Sequence, residues 1–153
     1  MLQKIVSRKI AARDGRFAIV ASTYNARYVD AMLRAAKAEI RRAGGALQIV
    51  RVPGAYEIPV VAARLARSAD GLSAIICLGV ILRGQTVHAE HIGRAVSEAL
   101  MEIQVRHEVP VIHEVLLLEN QEQARVRCLG AKHNRGTEAA QTALQMARLM
   151  QSL

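Results

Sequence analysis

Two kinds of apolar pattern alternate along this chain. FAIVAS (17–22), LQIVRV (47–52), AIICLGVIL (74–82) and VPVIHEVLLL (109–118) are short, largely unbroken apolar runs with many β-branched residues. They predict strands, and the continuous run at 74–82 predicts one covered on both faces. Between them, apolar positions recur every three or four residues, the period that builds one helical face. The first such set is Val29, Met32, Leu33, Ala36 and Ile40; the second is Ile58, Val61, Ala62 and Leu65. The third is Ile92, Ala95, Val96, Ala99, Leu100 and Ile103, and the last is Ala140, Ala143, Leu144 and Ala147. Asn25 is placed to cap the first helix, and Gly44-Gly45 stops it. Pro53-Gly54 closes the second strand, and the second helix ends near Asp70-Gly71. Asn120 with Gln123 three residues on resembles a capping box for a short helix ending at Gly130.

The resulting order, β-α-β-α-β-α-β-α-α, predicts an α/β fold. Its four-stranded parallel sheet has right-handed crossovers and helices on both faces. With 153 residues there is room for one domain, 17–153, after an N-terminal arm, 1–16. In such a sheet the C-terminal strand ends share one rim, where ligands bind. Three loops therefore converge: Ser22-Thr23-Tyr24-Asn25, Pro53-Gly54-Ala55-Tyr56-Glu57 and Gly84-Gln85-Thr86-Val87-His88.

Those loops carry the candidate chemistry. Gly84, Gln85 and Thr86 open a helix whose unpaired N–H groups suit a phosphate; the plainer alternative is a glycine turn with Thr86 as N-cap. His88 falls in the first turn, where the positive helix end disfavours an imidazolium, so a neutral ring is poised to accept a proton near pH 7. The alternative is an ordinary surface histidine. His88 and His91 share a helical face with Glu90 between, but no further ligand pair has the spacing a closed metal site needs, so no metal is expected. Glu57 and Arg127 sit where helix ends favour an acid and a cation respectively. Tyr24 and Tyr56, two of only three tyrosines, both fall on the rim and offer flat surfaces to a heterocycle.

Composition narrows the classes. Hydrophobic residues make up 52% of the chain and aromatics 3%, so the core is aliphatic and base-stacking on single-stranded nucleic acid is disfavoured. The net charge is +8, but the basic residues are scattered, which reads as a solvated surface. A nucleic-acid module would instead show steeply salt-dependent binding. Cys77 and Cys128 have neither metal nor disulfide-framework spacing, which fits a reducing cytoplasm. The N-terminus lacks the apolar core of a secretory signal, although its basic composition leaves a transit peptide open. No apolar run reaches membrane-spanning length.

Four segments, in order, resemble one family. RFAIVASTYN (16–25), VPGAYEIP (52–59), GVILRGQTVHAEHI (79–92) and LENQEQARVRCLGAKHNRGTEAA (118–140) are similar to the motifs of lumazine synthases. The resemblance implies a flavodoxin-like three-layer α/β/α sandwich. It implies condensation of 5-amino-6-(D-ribitylamino)uracil with 3,4-dihydroxy-2-butanone 4-phosphate, with loss of phosphate and water and no metal or organic cofactor. By the same resemblance Tyr24 stacks on the pyrimidine, and Asn25, Ala55, Tyr56 and Glu57 hold its ring and ribityl chain. Val80, Ile81 and Leu82 line the pyrimidine pocket and offer backbone hydrogen bonds. Gln85 and Thr86 bind the phosphate, Arg127 pairs with it, and Lys132 adds charge nearby. His88 shuttles protons. The family builds pentamers, some of them assembled into shells, with sites between subunits; His113 and Arg127 are then contributed by the neighbour. The expected assembly is a free pentamer or a pentamer pair, with the basic arm against a neighbour's sheet.

This chain departs from the family pattern in places. His113 and Glu114 stand where Phe-Gly is usual, and Tyr24 where Phe or Trp is commoner. Gln85 replaces Ala, Ser or Glu, and GAKHNRG (130–136) is one residue short. These departures leave open a relative that binds flavin or lumazine without turnover.

Overall fold

The computed structural model describes residues 11–68 and 71–153. Residues 1–10 of the expected arm, and Asp70 at the expected end of the second helix, lie outside the described residues. The elements run β1 (Arg16–Ser22), α1 (Ala26–Arg42), β2 (Ala46–Val52), a 3₁₀ turn (Ala55–Glu57), α2 (Ile58–Ala66), β3 (Ala74–Leu82), α3 (His88–His107), β4 (Val111–Leu118), α4 (Gln121–Cys128) and α5 (Arg135–Ser152). All strand pairs are parallel, in the order β2-β1-β3-β4.

β3 shows why the sheet sits between two helical layers. Ala74, Ile76, Leu78 and Val80 join one apolar cluster with residues of α1, α4 and α5. Ile75, Cys77 and Ile81 join the other, with α2 and α3. A strand whose side chains alternate between two cores has no polar face, hence the unbroken apolar run. The result is the three-layer α/β/α sandwich. β2 is an edge strand in which only Val52 is buried.

Several boundaries move for local reasons. α2 stops at Ala66, short of Asp70-Gly71. β4 starts at Val111 because Pro110 has no N–H to give the ladder; its carbonyl still accepts from Ile75 N at 2.8 Å. Asn25 occupies the N-cap position of α1 in a left-handed conformation (φ 57°), but its side chain makes no cap. Asn120 does cap α4, its Oδ1 accepting from Gln123 N at 2.9 Å. In return Gln123 Oε1 accepts from Glu119 N rather than from Asn120 N. In the short GAKHNRG turn, Asn134 accepts from Gly136 N and donates to the Cys128 carbonyl, both at 2.8 Å. A Cβ on Gly136 would lie 2.0 Å from the Met32 carbonyl oxygen, so only glycine lets α5 approach α1 this closely.

Candidate active site

The strand order reverses between β1 and β3, which opens a crevice at the carboxyl rim. The registers show its form. β3 pairs with β1 only as far as Leu78, but with β4 as far as Leu82. Gly79–Leu82 therefore overhangs β1 and turns a backbone edge with no strand partner toward the crevice. Asn25 crosses that edge, its Nδ2 donating to the Val80 carbonyl at 2.7 Å. This explains why its side chain is not available as a helix cap.

The β1 and β2 exit loops are tied together above this edge. Tyr24 N donates to the Pro53 carbonyl at 2.9 Å, and Thr23 Oγ1 to the same oxygen at 3.0 Å. Glu57 Oε2 accepts from Gly54 N at 3.0 Å, closing the 3₁₀ turn. A Cβ on Gly54 would stand 2.8 Å from Tyr24 Cδ2, so the glycine makes room for the ring. Tyr24 and Tyr56 are 66% and 65% exposed and flank the opening.

The cleft so formed has a volume of about 790 Å³. It gathers Tyr24 and Asn25 from the β1 loop, Ala55, Tyr56 and Glu57 from the β2 loop, Val80, Ile81 and Leu82 from β3, and His88 from α3. Gly54, His91, Ile92 and Ala95 also line it; the sequence placed Gly54 only in a converging loop, weighed His91 only as a metal ligand, and did not mark Ile92 or Ala95 as site residues. The signal was present: His88, His91, Ile92 and Ala95 follow helical spacing from the first turn of α3. Ile92 and Ala95 were expected in the core stripe instead. Ala95 is in fact exposed, and Ile92 serves both the core and the cleft.

The phosphate-loop candidates Gln85 and Thr86 are exposed residues in the β3–α3 loop, just before His88, and do not line the cleft. Val87, not Thr86, holds the N-cap position. Thr86 Oγ1 nevertheless accepts from His88 N at 3.4 Å. Arg83 anchors the loop through ion pairs with Glu90 and with Glu119.

Three candidates lie elsewhere in the subunit. His113 sits beside Cys77 in the sheet register, five residues before the rim pair Leu82–Leu118, or about 16 Å down the strand. Arg127 is on α4, in the opposite helical layer, with Nη1 donating to the Gln123 carbonyl at 3.4 Å. Lys132 is exposed in the α4–α5 turn. Burial pushes Cys77 up to about 12 and Cys128 up to about 11, so neither is a thiolate nucleophile at neutral pH. Among the described residues no group of three or more His, Cys, Asp or Glu is arranged to hold a metal ion.

Comparison with known proteins gives the site its setting. The family model for 6,7-dimethyl-8-ribityllumazine synthase matches residues 14–151. The chain belongs to the 6,7-dimethyl-8-ribityllumazine synthase family. It is 43% identical to the protein of that name from Xanthomonas oryzae pv. oryzae (strain PXO99A) over 141 residues, 90% of this chain and 91% of the relative. It is also 43% identical to the one from Stenotrophomonas maltophilia (strain R551-3) over 143 residues, 92% of each chain. As a lumazine synthase family member, the chain offers a cleft with an apolar floor, a backbone edge without a strand partner, two tyrosine rings and a histidine. Those groups suit a flat, hydrogen-bonding heterocycle. No helix among the described residues is long and apolar enough to cross a membrane.

Proposed function

We propose that this protein condenses 5-amino-6-(D-ribitylamino)uracil with 3,4-dihydroxy-2-butanone 4-phosphate to 6,7-dimethyl-8-ribityllumazine, releasing phosphate and water. Beyond family membership, the carrying observation is the overhanging backbone edge of β3 inside the cleft. A uracil ring presents alternating donors and acceptors along one edge. The edge of β3 beside Ile81 and Leu82 is their complement, with Tyr24 placed to stack on the ring face. Glu57, Ala55 and Tyr56 face the ribityl chain.

The chemistry then needs a leaving-group site and a proton carrier. Schiff-base formation takes protons from the attacking amine and delivers one to the departing hydroxyl. Elimination of phosphate removes another from carbon. His88, at the cleft mouth and at the start of α3, is the group placed to accept and return them. Gln85 and Thr86 beside the α3 N-terminus hold the phosphate. Fixing both substrates in register supplies much of the acceleration by proximity.

Arg127 and Lys132 at the phosphate, and His113 covering the pyrimidine, serve the same reaction from a neighbouring subunit, which explains their distance from their own cleft. Residues 17–153 act as one unit, in a homopentamer or a pair of pentamers in the cytoplasm. Exposed Met101 and Val105 on α3, Leu117 on β4 and Val126 on α4 are the apolar surface such an assembly would cover.

The test is lumazine formation from both substrates. His88→Ala should lower kcat roughly ten- to a thousandfold with binding preserved, since acid–base groups typically contribute 10²–10⁴-fold and solvent substitutes in part. Arg127→Ala should raise KM for the phosphorylated substrate far more than for the pyrimidine. Co-refolded mixtures of the two variants should exceed the mean of the parents. Mixtures that never do so, despite demonstrated subunit exchange, would exclude action across an interface. Tight lumazine binding with no turnover would point to a storage protein.

A further inference from the structure

The departure at His113 comes with a companion on α3. Val115 N donates to His113 Nδ1 at 3.1 Å. Nδ1 must therefore be the bare nitrogen, and in the neutral ring the proton belongs to Nε2. Nε2 lies 2.7 Å from Ser97 Oγ, and Ser97 Oγ donates to the Gly93 carbonyl at 2.8 Å. The directions close without conflict: Val115 N–H to Nδ1, Nε2–H to Ser97 Oγ, Ser97 O–H to the Gly93 carbonyl. A second ring proton would have to point at the Val115 N–H, two donors face to face. Burial independently lowers the His113 pKa, against a smaller raising effect of its own backbone. Both ring nitrogens are thus occupied within the subunit. What His113 can offer a ligand is its face.

We propose that Ser97 is a positioning residue for this reaction: the Val115 N–H sets His113 as the neutral Nε2–H tautomer, and Ser97, accepting from that Nε2–H, fixes the plane of the ring that covers the pyrimidine. The inference rests on the reading of His113 above. It assigns His113 a stacking role in place of a phenyl ring and removes it from proton transfer, leaving that to His88. Ser97 is exposed on α3, so replacing it should leave folding intact.

Ser97→Ala should raise KM for the pyrimidine about three- to tenfold, the loss of one orienting hydrogen bond. Its kcat and its KM for the phosphorylated substrate should stay within about twofold. Ser97→Thr, which keeps the hydroxyl, should restore the wild-type KM. In a His113→Phe background, where no ring nitrogen needs fixing, Ser97→Ala should change nothing further. Solid-state NMR of the sedimented, ¹⁵N-histidine-labelled protein at pH 7 should show His113, assigned by its loss in His113→Phe, with Nε2 protonated and Nδ1 bare. An Nδ1–H or doubly protonated ring would overturn the proposal, as would an equal effect of Ser97→Ala in both backgrounds. If His113→Ala raises the pyrimidine KM and Ser97→Ala does not, the lock is wrong and the reading of His113 survives. If neither substitution moves it, both fall.

Discussion

Glu114→Gln should make the protein more stable above pH 7 and leave it nearly unchanged at pH 5. Glu114 pairs with Leu78 in the β3–β4 register, on the face covered by α4 and α5. Burial raises its pKa to about 7 from 4.5; Arg135 opposes the shift and Glu138 adds to it. Arg135 is itself committed to Glu138, with Nη1 2.7 Å from Oε2. The folded state therefore binds more protons than the unfolded state between pH 4.5 and 7. Stability tied to Glu114 is fully present below 4.5 and is lost as pH rises through about 7. A displacement of this size corresponds to at most about 3 kcal/mol, and screening of a group that is not fully buried leaves about 1–3 kcal/mol. For a chain of this length that is roughly 3–10 °C in Tm. The assay is thermal unfolding at fixed protomer concentration, pH 5 against pH 8, for wild type and variant. Glutamine keeps the shape and removes the charge, so the fall in Tm between the two pH values should shrink by that amount. An unchanged fall would show that Glu114 ionises freely in the folded protein.

Three further outcomes test the geometry. Gly136→Ala should destabilise by about 3 kcal/mol or more, because a Cβ 2.0 Å from the Met32 carbonyl forces α5 off α1; denaturant unfolding reads it. Gly54→Ala should leave Tm within a few degrees yet raise the pyrimidine KM several-fold, since the new methyl group pushes Tyr24 and Glu57 from their places. Asn25→Ala should weaken pyrimidine binding and loosen the β1 exit loop, by about 1 kcal/mol for the lost bond to the Val80 carbonyl; hydrogen exchange of Thr23 and Tyr24 amides should rise. Unchanged exchange would mean the loop is held by the Val52 and Pro53 carbonyls without help from Asn25.

The order of the elements and the rim on which the cleft opens were legible in the sequence. Apolar period, glycine stops and the Asn120 cap act over a few residues, and parallel βαβ units put every strand end on one side. Nine of the residues expected at the site, some from the converging loops and others only from the family resemblance, line one cleft. Other features depended on partners distant in the chain. Asn25 looks like a cap locally and is diverted by the Val80 carbonyl, 55 residues away. Ala95 fits a core stripe by spacing and faces the cleft, because the space over it is left open. His113 carries no local sign that Ser97 and Val115 occupy both its nitrogens. Gly136 reads as a turn residue until α1 is seen against it. Periodicity reports which face of an element is apolar; what that face meets, and which polar group a side chain reaches, is decided only when the layers close.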